Sequence, residues 1–172
     1  LYFNALYCPA HTILMISTLI YRPQLYKLAS LLETSIHNPA NKKRFGVMVL
    51  AMFGAIAVVA IGTAAFVEFI GIPLNGFLYG VDFEQYRGLA RIMVATGGLC
   101  AAIDFLYQLI TIMRVQKAVT RAYLISFAVS IPIIWMMVSF TGLNGAVIGS
   151  FSSILILFLL LISEYAVARM KN

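Results

Sequence analysis

The chain has 172 residues, of which 62% are hydrophobic and only 10% charged, with a formal net charge of +6. A soluble domain is about half apolar and about a quarter charged, so the charges here are too few to coat a globule of this size, and that class is excluded. The apolar residues come in long runs with the basic residues between them; this fits an integral membrane protein and leaves no basic stripe with interleaved aromatics for a nucleic-acid partner.

A spanning helix needs about 20 mostly apolar residues. Five segments qualify, at about 1–21, 45–72, 89–113, 122–140 and 143–168. The expected fold class is therefore all-α, a polytopic membrane helix bundle with five transmembrane helices. The chain opens on Leu1 already inside an apolar run, with no basic n-region or cleavage site. It reads as the C-terminal lobe, 1–172, of a longer protein.

The first span carries His11, with Asn4 and Thr12 nearby. A single His there is either a hydrogen-bonded packing residue or a proton carrier. After it, "RPQLYKLASLLETSI" sets Leu25, Leu28, Ala29, Leu32 and Ile36 at helical spacing. This predicts an amphipathic helix, either at the membrane surface or continuing the first span, with Pro23 tolerable in its first turn. "HNPANKKR" is expected to break it, with His37 solvated.

The second span carries Glu68 near its far end, either as an interfacial charge or facing a cavity. Before the third, Asp82 followed by Gln85 is close to a capping box. Such a helix, from Phe83 to Arg114, would be about 48 Å long and would overrun the bilayer, so Arg87 and Arg91 are expected in the headgroup layer or a wet mouth. They lie one turn apart on one face. Guanidinium groups fork onto phosphate oxygens, but the same pair can also snorkel or bind Glu84 and Asp82.

Further along the third span, Gly97, Ala101, Asp104, Gln108 and Thr111 recur at steps of four, three, four and three. They form one small or polar face. A carboxylate inside the membrane normally faces the bundle interior or water. Asp104 then couples an ion or proton, bonds hydroxyls of a ligand, or ties helices together through a Tyr, Ser or Arg.

In the fourth span, Pro132 permits a kink. In the fifth, Gly145, Gly149 and Ser153 lie four apart and read as a close-packing face. Cys8 and Cys100, without CxxC or clustered His, read as buried small hydrophobes; no metal or cofactor is expected.

Basic residues fall on alternate connections: Arg22, Lys27, Lys42, Lys43 and Arg44 on one, Arg114, Lys117 and Arg121 on another, and Arg169 and Lys171 on the tail. The positive-inside bias then expects the N-terminus outside and the C-terminus in the cytoplasm.

"YRPQLYKLASLL", "GFLYGVDFEQYR" and "GLNGAVIGS", in this order, resemble stretches of the polysaccharide flippases in the MATE-like multidrug/oligosaccharidyl-lipid/polysaccharide exporter superfamily. The resemblance covers nearly the whole chain through patterns of small and apolar residues, without a catalytic signature. It implies a two-lobe transporter of the bacterial cytoplasmic membrane, of which these would be helices eight to twelve, or two to six. It implies export of polyprenyl-pyrophosphate-linked polysaccharide repeat units by alternating access, as in lipopolysaccharide and cell-envelope synthesis. Expected partners are the lipid-linked oligosaccharide, membrane lipids and a missing N-terminal lobe. A drug/cation antiporter of the same superfamily and a non-transporting scaffold are the alternatives. An enzyme is not expected, because no compact set of His, carboxylate or Ser residues occurs.

Overall fold

The computed structural model describes residues 2–35, 39–71, 73 and 87–171, with side chains for 7–34, 40–71, 73 and 87–170. The described chain is all-helical. It comprises α1 (Tyr2–Tyr21), α2 (Leu25–Ser35), α3 (Pro39–Phe66), α4 (Arg87–Ile112), α5 (Gln116–Thr141) and α6 (Leu143–Lys171). A short 3₁₀ turn, Arg22–Gln24, joins α1 to α2, and a π-helical turn, Val67–Gly71, continues α3.

Among the described residues, four helical stretches are long and apolar enough to cross a membrane: Ala40–Gly71, Arg87–Ile112, Gln116–Thr141 and Leu143–Met170. The expected count was five. The difference falls on α1, a helix of 20 residues, or about 30 Å at 1.5 Å per residue. Four such helices make the chain a membrane-embedded bundle.

Several boundaries differ from the sequence reading. The helix expected from Phe45 already starts at Pro39, because proline suits the first helical position, where no intrahelical N–H bond is needed. Lys42, Lys43 and Arg44 are therefore helical rather than part of a loop. The capping pair Asp82 and Gln85, and His37, lie outside the described residues. So does most of "GFLYGVDFEQYR". Cys8 is exposed and Cys100 half-buried, rather than both buried. In hydrocarbon an outward-facing thiol costs little, so burial is not required of it. Pro132 leaves α5 unbroken across Gln116–Thr141.

The helix α4 is the hub. It packs on α1, α6 and α3, whereas α5 packs mainly on α6. Of the apolar stretch of α4, 56% is buried, against 6% for α5. The exposed surface of α5 includes Phe127, Trp135 and Phe140, a face suited to hydrocarbon rather than water. The helix α2 lies on α3, with Leu28 fully buried and Tyr26 and Lys27 turned outward.

Helices in lipid gain little from hydrophobic burial against one another, so close approach by small residues does the packing. A Cβ built on Gly97 of α4 would fall 2.5 Å from Ala10 Cα of α1 and 2.7 Å from its carbonyl oxygen. On Gly98 it would lie 3.1 Å from Ala60 Cβ of α3. On Gly145 of α6 it would run into the Met137 carbonyl of α5, and on Gly149 it would lie 3.4 Å from Ile134 Cα. Ser153 is buried on the same helix. The tight α5–α6 turn is made by Gly142, at φ 57°, a left-handed conformation that costs glycine nothing.

Polar side chains within these helices are largely satisfied locally. Thr18, Thr96, Thr111 and Ser150 donate to the carbonyls of Leu14, Ile92, Tyr107 and Ala146, four residues back, at 2.7 to 2.8 Å. This is how hydroxyls are carried at low cost in an apolar helix.

Gly97→Ala should lower stability by about 1–3 kcal/mol, because the obstruction is backbone and cannot swing aside. Gly62→Ala, where nothing lies within 4 Å of the new Cβ, should change it by less than about 0.5 kcal/mol. Denaturation in mixed detergent micelles measures both.

Candidate functional site

The face of α4 that carries Gly97, Ala101 and Asp104 is turned to α1. From α1, Ala10, Ile13, Ser17 and Tyr21 follow at steps of three, four and four, and all are buried. The phenol of Tyr21 donates a hydrogen bond to Asp104 Oδ2. Tyr21 also lies 3.3 Å from Thr18 Oγ1. Each hydroxyl has one proton, and Thr18 spends its own on the Leu14 carbonyl at 2.7 Å. The Tyr21 proton goes to the carboxylate.

Packing fixes the phenol where this bond needs it. The Tyr21 ring meets Phe105 at a centroid distance of 5.3 Å, tilted by 50°, and Phe105 meets Phe53 of α3 edge-on at 5.2 Å. Three helices therefore hold one aromatic cluster beside the carboxylate. Asp104 itself is half-buried, as is Gln108 one turn on. Ala101 is fully buried, so the stripe at that level is a helix–helix contact rather than an open wall. Asp104 lies eight residues before the end of α4, about 12 Å by helical rise, and faces the last residue of α1.

A second polar group forms where α3 ends and α4 begins. Glu68, in the π-helical turn, accepts from Arg91 Nε at 3.0 Å and from Arg91 Nη2 at 2.7 Å, one bond to each carboxylate oxygen. Arg87 Nη1 is 3.6 Å from Glu68 Oε1. The pairing crosses between helices, to Glu68. The extra residue of a π turn re-aims a side chain, and such turns recur at functional sites. Here it brings the carboxylate to the two arginines. Two guanidinium groups thus converge on one carboxylate.

Below it runs a groove of about 240 Å³ between α3 and α4. Glu68 and Arg91 head it, and its walls include Ala60, Ile61, Ala64, Val94 and Ala95. The result is an amphipathic recess: charged at one end, hydrocarbon-like along its length.

The sequence-derived residues thus separate into groups. Arg87, Arg91 and Glu68 come together. Asp104 and Gln108 lie elsewhere on α4, with Asp104 thirteen residues from Arg91, about 20 Å by helical rise. His11 stands apart from both: it is exposed and stacked beside Tyr7 at 6.4 Å. Among the described residues, no group of three His, Cys, Asp or Glu comes together in a form that could hold a metal.

Two features were missed in the sequence. Tyr21 reads there as a span-end aromatic, and nothing local signals a partner 83 residues away. Arg121 was read only for orientation, but its Nε donates to Glu164 Oε1 of α6 at 3.1 Å, and its Nη2 donates to the same oxygen. Glu164, a carboxylate inside the last apolar segment, was the available signal. Comparison of the chain with protein-family models, with curated proteins and with solved structures finds no match.

If the Tyr21–Asp104 bond ties α1 to α4, a double-mutant cycle of Tyr21→Phe and Asp104→Asn should show a coupling of about 0.6–1.7 kcal/mol in unfolding free energy. Additive effects would remove the tie.

Proposed function

We propose that this chain is part of a transporter that moves an anionic, lipid-linked cargo across a membrane. In its specific form, the cargo is a polyprenyl-pyrophosphate-linked polysaccharide repeat unit crossing the bacterial cytoplasmic membrane by alternating access. The observation that carries the reading is the α3–α4 groove: the Arg91 guanidinium at its head, with Arg87 beside it at Glu68, and apolar walls along it. A pyrophosphate needs forked cationic donors, and a prenyl chain needs hydrocarbon surface. The recess offers both in the right order along one axis.

Orientation fits the same reading. Ten of the twelve Lys and Arg residues, all but Arg87 and Arg91, lie at or beyond one set of helix ends. By the positive-inside bias that end is cytoplasmic. The C-terminus is then cytoplasmic, and the Glu68 cluster lies towards the outer face. The resemblance of "GLNGAVIGS" and its companion stretches to polysaccharide flippases points the same way.

The drug/cation antiporter is the less favoured reading. A cationic cargo needs a carboxylate to itself, but Glu68 is already countered by two arginines and Asp104 is engaged by Tyr21. Asp104 is accordingly assigned to helix tying rather than to coupling.

Binding of polyprenyl pyrophosphate and of uncharged polyprenol to the detergent-purified chain tests the reading by native mass spectrometry. The pyrophosphate should bind at least about tenfold more tightly, a difference of about 1.4 kcal/mol. Arg91→Gln should remove most of that preference, whereas Glu68→Gln should enhance it, because a competing anion is gone. Equal weakening by both substitutions would mean that the ion pair is structural, and the cargo reading would fail.

A further inference from the structure

A second recess lies at the opposite, basic end of the bundle and plays no part in the groove just described. It measures about 540 Å³ and lies between the α4–α5 turn, the first turns of α5 and the last turns of α6. Its polar lining is Lys117, Arg121 and Glu164; Met113, Val115 and Val167 are among its apolar residues. We infer that this cleft binds a phosphate group, held by Lys117 and Arg121, with Glu164 occupying the anion's place when the site is empty.

Four observations support this assignment. Arg121 directs two donors onto a single oxygen of Glu164 while its side chain stays 66% exposed. This is the geometry of a guanidinium that can re-fork onto an incoming oxyanion at little cost. Among the described residues, Lys117 has no carboxylate partner, so the cleft carries an uncompensated positive charge. The cleft also opens against the first turn of a 26-residue helix whose N-cap, Val115, offers no side-chain cap. The N-terminal end of that helix dipole adds to the positive potential. Finally, the turn is held in a costly form: Arg114 sits at φ 58°, where glycine is usual. Its N–H bonds to the Thr111 carbonyl at 3.0 Å, and the Val115 N–H bonds to the Ile110 carbonyl at 3.3 Å. That pair of bonds is a Schellman closure, and it sets Met113 and Val115 as the cleft's rim.

A phosphate ester can reach this place from two sources. At the end of spanning helices the headgroup of an anionic phospholipid is at hand, and basic pockets between such helices recognise it. A soluble phosphate can enter from the aqueous side. The same substitutions report on both.

The test uses the whole chain in detergent, with native mass spectrometry as readout and three probes: phosphatidylglycerol, phosphatidylcholine and inorganic phosphate. Phosphatidylglycerol retained over phosphatidylcholine assigns the lipid source, and displacement of bound lipid by inorganic phosphate assigns the soluble one. In either case Lys117→Gln and Arg121→Gln should each weaken binding about fivefold, the weight of one cation at a membrane surface. Glu164→Gln should strengthen binding, because the built-in competitor is removed; a merely structural ion pair would give no gain. Lys117 is exposed and, among the described residues, makes no ion pair, so its variant reports binding with no salt bridge lost. Retention of both phosphate probes unchanged in Lys117→Gln and Arg121→Gln would overturn the assignment.

Discussion

Everything in this bundle depends on how closely α4 can approach α1. Gly97 against the backbone of Ala10 brings the two helices together, and Tyr21 on Asp104 fixes their register at the far end of the contact. A hydrogen bond of this kind has value in lipid because the alternative is an unsatisfied carboxylate in hydrocarbon. The aromatic cluster of Tyr21, Phe105 and Phe53 then carries the same constraint across to α3. With α4 held on two sides, α6 takes a third, and α5 is left at the edge with its surface turned outward.

This arrangement gives the carboxylates of the long helices different surroundings. The carboxylate of Asp104 accepts a hydrogen bond from Tyr21 across the α1–α4 contact. The carboxylate of Glu68 meets Arg91 at the head of an apolar groove, with Arg87 beside it. The carboxylate of Glu164 engages one arginine at the rim of a second recess, at the other end. The helix α4 separates the first two by about 20 Å of rise between Arg91 and Asp104. The helix that keeps the bundle together therefore also presents the cationic pair on which the transport reading rests.

The helices themselves were legible because long apolar runs can only be read one way in a chain with so few charges. The helix α2 was legible from the spacing of Leu25, Leu28, Ala29 and Leu32. The early start of α3 was not: Pro39 looks like a breaker until it is seen to occupy a first turn. The polar stripe on α4 was visible as periodicity, but periodicity says that residues share a face and not what the face meets. Tyr21 lies 83 residues from Asp104 and Arg91 lies 23 from Glu68. Pairings at that range come from packing, which no local pattern encodes. The π-helical turn that aims Glu68, and the left-handed Arg114, were likewise beyond a reading based on propensity, since both run against it.

The most direct measurement is thiol accessibility at position 101, on the α4 face that meets α1. In a background of Cys8→Ser and Cys100→Ser, Ala101→Cys would be probed in the membrane from both sides with a water-soluble thiol reagent. A cysteine at the exposed Lys117 would serve as the labelled control. A face sealed by α1 predicts no labelling at 101 while the control reacts. Labelling at 101 from either side would contradict it, and would return the Asp104 stripe to the wall of a hydrated passage.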